Sequence, residues 1–412
     1  MKKTTKSIAA LTFVTISQSV IAGGIQNWTM SANSIGNFGA GIAATANNPD
    51  TSYYNPAGMP WIQHQDMGLS LTNNIGNAKY NGAISNPVSG SSNGAAQGGT
   101  TVLTPNLFYV APLNKKWEVG FSVTSPYKYE LNYGNGAITA PVLSKFRINT
   151  VNLTPSLAFR FINSLSVGVG LDIERASIQF NQASVGGGSQ VDNKLHDWGV
   201  GWNGGILWQP AHKTRLGVSY HSYIRHKNSG NSNLTGTITS SSRVTSNYRL
   251  PADTTLSFYQ GIGKRLDLLG SANYTQWSKT NIVLNNVSTT SGLNNQTVLA
   301  NLRDSWLFAV GINAHLNKKL VLKTGFGYDQ SAVAKNTSST LILPDANYYV
   351  ASVGSNYTIN DSFNVDLGFS HYFTRKQNIN STTQNASIPV TSQGSIETGR
   401  DVAGIQINWL MT

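Results

Sequence analysis

Apolar and polar residues alternate along most of the chain after residue 60, in a series of segments that are separated by turn residues. Three segments show this most clearly, with the apolar residues Trp117, Val119, Phe121 and Val123 in the first, Leu165, Val167, Val169, Leu171 and Ile173 in the second, and Phe308, Val310, Ile312, Ala314 and Leu316 in the third. A period of two predicts β-strands with one apolar face. The runs are longer than the roughly 5–6 residues of strands in soluble sandwiches and approach the roughly 9–11 residues of strands that cross a membrane.

Fourteen such segments can be placed along the chain. They cover residues 63–74, 103–111, 117–132, 144–161, 165–182, 194–209, 213–229, 248–260, 266–283, 301–315, 319–331, 345–357, 363–378 and 398–411. Tight turns such as 161–164 and 316–319 alternate with long connections rich in Gly, Ser and Asn, such as 81–100 and 186–194. Short turns on one side and long loops on the other are typical of outer-membrane barrels. The pattern predicts an all-β fold, a transmembrane antiparallel β-barrel of about 14 strands.

The composition is consistent with an outer surface that faces lipid. Charged residues make up 11% of the 412 residues, well below the roughly 25% of an ordinary soluble domain. After the first 22 residues no apolar run approaches the length of a spanning helix, so a membrane protein of this sequence must cross as a closed barrel. Cysteine is absent, which excludes disulfides and thiolate metal sites.

Residues 1–22 have the features of an export signal. Lys2, Lys3 and Lys6 precede a mainly apolar stretch, and Val20 and Ala22 stand at the −3 and −1 positions of a cleavage site. Removing the signal lowers Lys plus Arg from 29 to 26 against 17 Asp plus Glu, which leaves a net charge of +9. The remaining cations are scattered, which indicates solvated or lipid-phosphate-facing charge and no nucleic-acid partner.

Aromatic residues cluster near the predicted strand ends, where the two membrane interfaces would place them. The cluster members are Tyr127, Tyr129, Tyr133, Trp198, Trp202, Trp208, Tyr220 and Tyr223. At the end of the chain, Ile405, Ile407, Trp409 and Met411 alternate with smaller or polar residues, which predicts a closing strand with these side chains toward lipid.

Residues 23–60 lack this alternation and are rich in Gly and Ala. Small residues allow close backbone packing, and the prolines in the final stretch TSYYNPAGMP restrict the chain to extended or turn conformations. This stretch, together with blocks such as TVNLTPSLAFRF, HDWGVGWNGGILWQP, LPADTTLSF and LRDSWLFAVG, resembles the FadL/OmpP1/TodX family of outer-membrane transporters for long-chain fatty acids and other hydrophobic compounds.

The resemblance implies a barrel closed by an N-terminal hatch, so we divide the chain into a signal peptide (1–22), a hatch with short helices (23–60) and a transmembrane barrel (61–412). Asn55, Pro56, Ala57 and Gly58 then correspond to the hatch and gating segment that holds the hatch against the wall. Gly23, Gly24 and Ile25 correspond to the N-terminal part of the ligand pocket.

The sequence departs from the family where the fatty acid carboxylate is bound, because the family's basic positions align with Phe180 and Val298. A buried carboxylate without a cation or several donors is costly. Either Arg175 or Arg303 therefore replaces the missing cation, or the ligand is neutral. Alternation puts Arg175 on the outward face unless the strand bulges, and Arg303 could simply pair with Asp304.

No pattern typical of an enzyme is found. The seven histidines form no metal spacing and accompany no nucleophile motif, and we expect no catalytic residues, no cofactor and no metal. His221 and His226 are five residues apart on one strand, which predicts opposite faces. Asp172 and Glu174 share a face, and we interpret them as a structural pair in the lumen.

These features predict passive uptake of hydrophobic small molecules, with long-chain fatty acids as the first candidate, across the outer membrane of a Gram-negative bacterium. Pocket binding, hatch rearrangement and lateral release would be the steps. Neutral or aromatic hydrocarbons are the alternative ligands, and a general porin or a surface adhesin is the further alternative. The expected partners are the hydrophobic ligand, outer-membrane lipid and lipopolysaccharide, and the barrel assembly machinery, with the protein a monomer.

Overall fold

The computed structural model describes residues 25–289, 292–334, 340–385 and 387–411. Two short α-helices, α1 (Ala32–Ile35) and α2 (Thr51–Tyr54), and a 3-10 helix (Pro56–Trp61) precede the first strand, and a second 3-10 helix covers Trp277–Lys279. The strands are β1 (Gln65–Asn86), β2 (Gly90–Pro112), β3 (Trp117–Thr124), β4 (Lys128–Asn132), β5 (Lys145–Ile162), β6 (Leu165–Ala183), β7 (Ser189–Ala211), β8 (Thr214–His221), β9 (Ile224–Gly236), β10 (Ser240–Leu250), β11 (Asp253–Ile262), β12 (Leu266–Thr275), β13 (Ile282–Thr289), β14 (Gly292–Leu299), β15 (Ser305–His315), β16 (Leu320–Asp329), β17 (Tyr348–Thr358), β18 (Phe363–Phe373), β19 (Gln377–Asn385) and β20 (Ile388–Met411). In the described part of the chain, no helix has the length and apolar character needed to cross a membrane.

The strands form one closed antiparallel barrel. Six positions in the wall are each made of two successive segments, namely β3/β4, β8/β9, β10/β11, β12/β13, β14/β15 and β18/β19, so the twenty segments make fourteen barrel strands. The last strand closes the barrel on the first, with Gln65 opposite Met411 and Leu71 opposite Ile405. The predicted fold and strand number are confirmed.

Two of the predicted loops are wrong. Residues 81–100 and 186–194 were expected to be long connections. Instead, β1 extends to Asn86, β2 begins at Gly90 and β7 begins at Ser189. Their Gly, Ser and Asn residues lack the alternation of membrane strands. They remain strands because β1 pairs with β2 on one side and with β20 on the other along this length, and because the start of β7 pairs with β6 and with β9.

The outer face of the barrel is apolar, as the alternation predicted. Val169, Val200, Val310, Ile407 and Trp409 are all exposed there, and Ile405 joins them in the closing strand. Trp198, Trp202, Trp208 and Tyr223 also point outward, which fits an interfacial belt. The prediction was wrong for Tyr127, Tyr129 and Tyr133, because these rings are buried inside the barrel. Their hydroxyls donate to the carbonyl oxygens of Pro251, Ile342 and Leu341.

The segment before β1 lies against the inner wall, and glycines make room for it. A Cβ at Gly368 would come within 2.6 Å of the Ala32 carbonyl oxygen, and one at Gly354 within 2.6 Å of the Gly36 Cα. The wall glycines that face this segment are Gly68, Gly120, Gly168, Gly205, Gly217, Gly311, Gly325, Gly327, Gly354, Gly368 and Gly404. They lie on ten of the fourteen barrel strands. The N-terminal segment is therefore fitted to the wall on nearly all sides.

We expect Gly205→Ala to dislodge the N-terminal segment at one point. A methyl group at position 205 would overlap the side-chain oxygen of Asn55, whose amide nitrogen donates to the carbonyl oxygens of Ala43 (2.7 Å) and Ile206 (3.3 Å). Leaving these buried groups without partners should lower the free energy of unfolding by about 1–3 kcal/mol. Urea titration of the refolded protein, followed by tryptophan fluorescence, measures this change.

The neighbouring substitution Gly204→Ala is the matched control, because the atom nearest to its added Cβ is the Gly168 carbonyl oxygen at 3.3 Å. We expect a much smaller loss in this variant. Equal losses in the two variants would show that the contact with Asn55 does not contribute.

Candidate functional site

The Asn55–Gly58 segment is bonded to the wall at strands β6 and β7. The Asn55 side chain caps the 3-10 helix by accepting from the Ala57 amide (3.1 Å) while its amide nitrogen reaches the Ile206 carbonyl oxygen in β7. The Ser166 hydroxyl in β6 donates to the Ala57 carbonyl oxygen at 2.5 Å. A Cβ at Gly168 would overlap the backbone of Pro56 and Ala57. Asn55, Pro56 and Ala57 therefore lie at one tight junction between the N-terminal segment and the wall, whereas Gly58 packs within the segment against Thr51 and Ala46.

The barrel wall is interrupted between β3 and β4, at residues 125–127. β2 pairs with β3 over Leu107–Pro112, whereas the described pairings of residues 90–106 are all with β1. β4 pairs with β5 and not with β2. The Lys128 side chain reaches the Leu103 carbonyl oxygen at 2.7 Å. The wall between β2 and β4 is thus closed by side chains, and no ladder of backbone hydrogen bonds joins these two strands.

The start of the N-terminal segment is bound to this interruption. The Asn27 backbone amide donates to the Pro126 carbonyl oxygen (2.7 Å) and its side chain to the Ser125 carbonyl oxygen (3.1 Å). Gln26 forms an isolated β-bridge with Tyr127. The residues that precede β1 therefore lie behind the gap in the wall and satisfy its backbone groups.

An apolar cluster fills the lumen beside this point. Ile25, Phe180 and Val298 are all buried and belong to it. It also includes Leu341, Ile342 and Leu343 from the β16–β17 connection, and Phe146 directly opposite Phe180. Gly23 and Gly24, the other residues expected at the pocket, lie outside the described residues.

The two candidate arginines do not lie in this cluster. Arg175 is exposed on the outer face of β6, directly opposite the outward Trp198, so its assignment to the pocket is wrong. β6 keeps strict alternation there, with no bulge to turn the side chain inward. Arg303 is held on the β16–β17 connection, where its Nε donates to the Ser331 carbonyl oxygen (3.0 Å) and its backbone amide to the Ala332 carbonyl oxygen (2.8 Å). Asp304, its proposed partner, instead accepts from Tyr274 (2.6 Å) and the Ser278 amide (2.9 Å).

A second interruption, between β8 and β9, brings together an acidic and histidine-containing cluster that the sequence did not predict. Both His221 and His226 point inward, because residues 222–223 break the alternation between them. His226 Nε2 lies 3.0 Å from Glu174 and His221 Nδ1 lies 3.8 Å from Asp172, and the His221 ring lies against Tyr53 of the N-terminal segment. The wall residues Asn152, Thr154 and Asn203 also donate to Asp172.

A third group of contacts anchors the N-terminal segment near the short turns. Lys323 forms a buried ion pair with Asp366 (2.7 Å) and also donates to Asn33 (2.5 Å). Asn48 donates to the same Asp366 carboxylate. Asp50 accepts from Ser31 (2.6 Å) and Asn33 (2.9 Å). Burial raises the pKa of the Asp50 carboxyl, although these hydrogen bonds act in the opposite direction.

The polar space at this anchor is a cavity of about 120 Å³. Two cavities of about 20 Å³ lie higher in the lumen, one beside Tyr53 and Pro126 and the other beside Gln26 and Trp277. Over the described ranges, no three His, Asp or Glu side chains come together as a metal site would require.

Comparison with known proteins agrees with this architecture. The family described as "Outer membrane protein transport protein (OMPP1/FadL/TodX)" matches residues 13–409. The long-chain fatty acid transport protein of Escherichia coli O6:H1 is 25% identical, with 95% of this chain and 96% of that protein covered. Outer membrane protein P1 of Haemophilus influenzae is also 25% identical, with 91% of both chains covered.

Two solved structures share the fold. A FadL homologue of Pseudomonas aeruginosa superimposes with a TM-score of 0.85 at 21% identity, covering 94% of this chain and 100% of that one. The toluene transporter TbuX of Ralstonia pickettii superimposes with a TM-score of 0.69 at 16% identity, covering 94% and 99%. The barrel and the match over residues 13–409 show that this chain belongs to the OMPP1/FadL/TodX family of outer-membrane proteins that transport hydrophobic compounds.

Proposed function

We propose that this protein takes up hydrophobic small molecules by binding them in the apolar cluster, displacing the N-terminal segment and releasing them sideways between β2 and β4. The observation that carries the proposal is the pairing of Gln26 and Asn27 with the wall interruption at residues 125–127. A ligand that enters the cluster at Ile25 disturbs the next two residues, which close the gap. The N-terminal segment packed against the inner wall disfavours a general porin, which needs an open aqueous channel.

Apolar burial provides the affinity. Each CH₂ group that leaves water contributes about 0.8 kcal/mol. The two upper cavities, of about 20 Å³ each, are far smaller than the roughly 300–1,000 Å³ of ligand pockets. A ligand that enlarged either cavity would displace the N-terminal segment that lines it, at Tyr53 in one and at Gln26 and Trp28 in the other, and this would couple ligand binding to hatch displacement.

Long-chain fatty acids are the first candidate ligands, because the E. coli relative is named for their transport. Neutral hydrocarbons are the second, and the placement of four residues favours them. Phe180 and Val298 are apolar and buried, Arg175 points outward, and Arg303 is bonded to the Ser331 carbonyl oxygen. A charged headgroup would thus find neither Arg175 nor Arg303 inside the cluster, where its desolvation is costly. The buried Arg400, which stacks over Tyr372 of the cluster (4.7 Å), already donates to Asn74.

Phe180→Ala should weaken ligand binding about ten-fold, because an aromatic side chain contributes roughly 1.5–3 kcal/mol when it is buried against apolar groups. Equilibrium binding of radiolabelled oleate and of radiolabelled hexadecane to the refolded protein measures the change. Phe161→Ala is the matched control, since Phe161 is exposed on the outer face. Saturable binding of hexadecane but not of oleate would assign the neutral ligand class. Unchanged binding of both ligands in Phe180→Ala, and in a chain that lacks residues 23–60, would contradict the proposed pocket.

Lys323→Met should destabilise the protein by about 3–5 kcal/mol, because it leaves the Asp366 carboxylate buried without its cation. Adding Asp366→Asn should restore most of the loss by removing the uncompensated charge. Urea unfolding of the single and double variants tests this, and the exposed Lys319→Met provides the control. If the double variant were as unstable as the single one, the charge pair would not be what anchors this end of the segment.

A disulfide across the gap should block lateral release. A Cβ at Gly98 of β2 would lie 2.8 Å from the Tyr133 ring and 2.9 Å from the Leu131 Cδ1 atom of β4. Gly98→Cys with Leu131→Cys therefore brings two thiols near each other across the gap once the Tyr133 ring shifts aside, and the chain has no other cysteine. We expect oxidation to lower ligand uptake by whole cells about ten-fold, with recovery on reduction, since the strands must separate for exit.

The matched control joins Gly98→Cys to Ala78→Cys, which are already partners in the β1–β2 ladder. Oxidation of this pair should leave uptake unchanged. Full uptake with the gap cross-linked would show that the ligand leaves by another route.

A further inference from the structure

Basic side chains gather on the outer face of neighbouring strands, at the end of the barrel opposite the short turns. The exposed members are Arg147 on β5, Arg175 on β6, Lys194 on β7, Arg225 and Lys227 on β9, and Arg243 on β10, and Arg249 on β10 is half-buried beside them. Strand register places them in adjoining rows. Lys194 lies opposite Asn231, which lies opposite Arg243, and Arg225 lies directly opposite Arg249.

Two of these cations are neutralised within the protein and the others are not. Lys194 pairs with Asp192 (2.7 Å) and Arg147 with Glu130 (3.4 Å). Among the ion pairs of the described residues, none involves Arg175, Arg225, Lys227 or Arg249. Like charges directly opposite on paired strands destabilise a sheet. A bound anion would therefore offset the repulsion between Arg225 and Arg249, of which Arg249 donates its Nε hydrogen to the Lys279 carbonyl oxygen (3.2 Å).

The patch lies at the height of the aromatic belt. Trp198 is exposed directly opposite Arg175, and the Arg249 guanidinium stacks over the exposed Tyr223 ring, 5.5 Å from its centroid. Aromatic belts mark the level of lipid headgroups. The short turns, the start of β1 and the end of β20 lie on the opposite side of the barrel. That side faces the periplasm in outer-membrane barrels. The patch is thus at the headgroup level of the outer leaflet.

We propose that Arg175, Arg225 and Arg249, with Lys227, form a binding site for the phosphate groups of lipopolysaccharide. Phosphorylated glycolipid is the anion of the outer leaflet, and guanidinium groups bind phosphate with two parallel hydrogen bonds. The acyl chains of the same lipid would lie along the apolar outer face below, where Leu171, Val169 and Val200 are exposed. This site is separate from the lumen and from ligand transport.

The test is native mass spectrometry of the full-length mature protein in detergent, titrated with bis-phosphorylated lipid A and with its dephosphorylated form. We expect the wild-type protein to prefer the phosphorylated lipid. The combined substitutions Arg175→Gln, Arg225→Gln and Arg249→Gln should lower that affinity about ten-fold or more, given the contribution of each basic residue at an anionic membrane surface. Arg225→Lys with Arg249→Lys should retain part of the affinity, because it preserves charge and loses bidentate geometry.

The matched control removes the same charge at the other end of the barrel, through Lys115→Gln, Lys318→Gln and Lys319→Gln in the short turns. We expect this triple variant to bind lipid A as the wild-type protein does. Migration on gels with and without heating checks that each variant is folded. Equal losses in the two triple variants, or no preference for the phosphorylated lipid, would overturn the proposal. Displacement of the lipid by equimolar inorganic phosphate would instead assign a free-phosphate site and would also overturn it.

Discussion

The close fit between the N-terminal segment and the inner wall is the constraint on which the rest of the structure depends. A barrel of fourteen strands encloses more space than its own inward side chains fill, and here a separate piece of backbone occupies that space. Glycines on ten strands bring wall and segment together at backbone distance. Both main-chain and side-chain atoms of the segment meet the wall at these glycines, and a larger residue on the wall side would overlap them.

This fit explains why the functional features are concentrated in so few places. The junction at Asn55, the anchor at Lys323 and the wall interruption at Pro126 are three points where the same segment meets different strands. Apolar side chains are gathered above the segment, whereas polar side chains hold it from below, with Asn48 donating to Asp366 and accepting from Gln406. The apolar cluster beside residues 125–127 and the polar anchor at Lys323 thus lie at different places in the lumen.

The sequence predicted the barrel because alternation is a local property that survives in at least part of each of the fourteen barrel strands. It predicted the strand number for the same reason, and it placed Ile405, Ile407 and Trp409 on the lipid face. It failed where strand geometry depends on partners that are remote in the chain. The polar segment 81–86 is a strand because β20 pairs with it across more than 300 residues of sequence. Likewise, the interruption at residues 222–223 turns both His221 and His226 inward, and strict alternation could not reveal that.

The closing strand β20 has a consequence for the order of assembly. Its inner face is one of the surfaces that hold the N-terminal segment: Gly404 lies against Ala32 and Ile35, and Gln406 donates to Asn48 (2.8 Å). The segment that precedes β1 thus completes its contacts only when β20, the barrel strand farthest from it in sequence, has joined β1. Until that moment the segment lacks its contacts with β20. Closure of the barrel and completion of the packing inside it are therefore a single event.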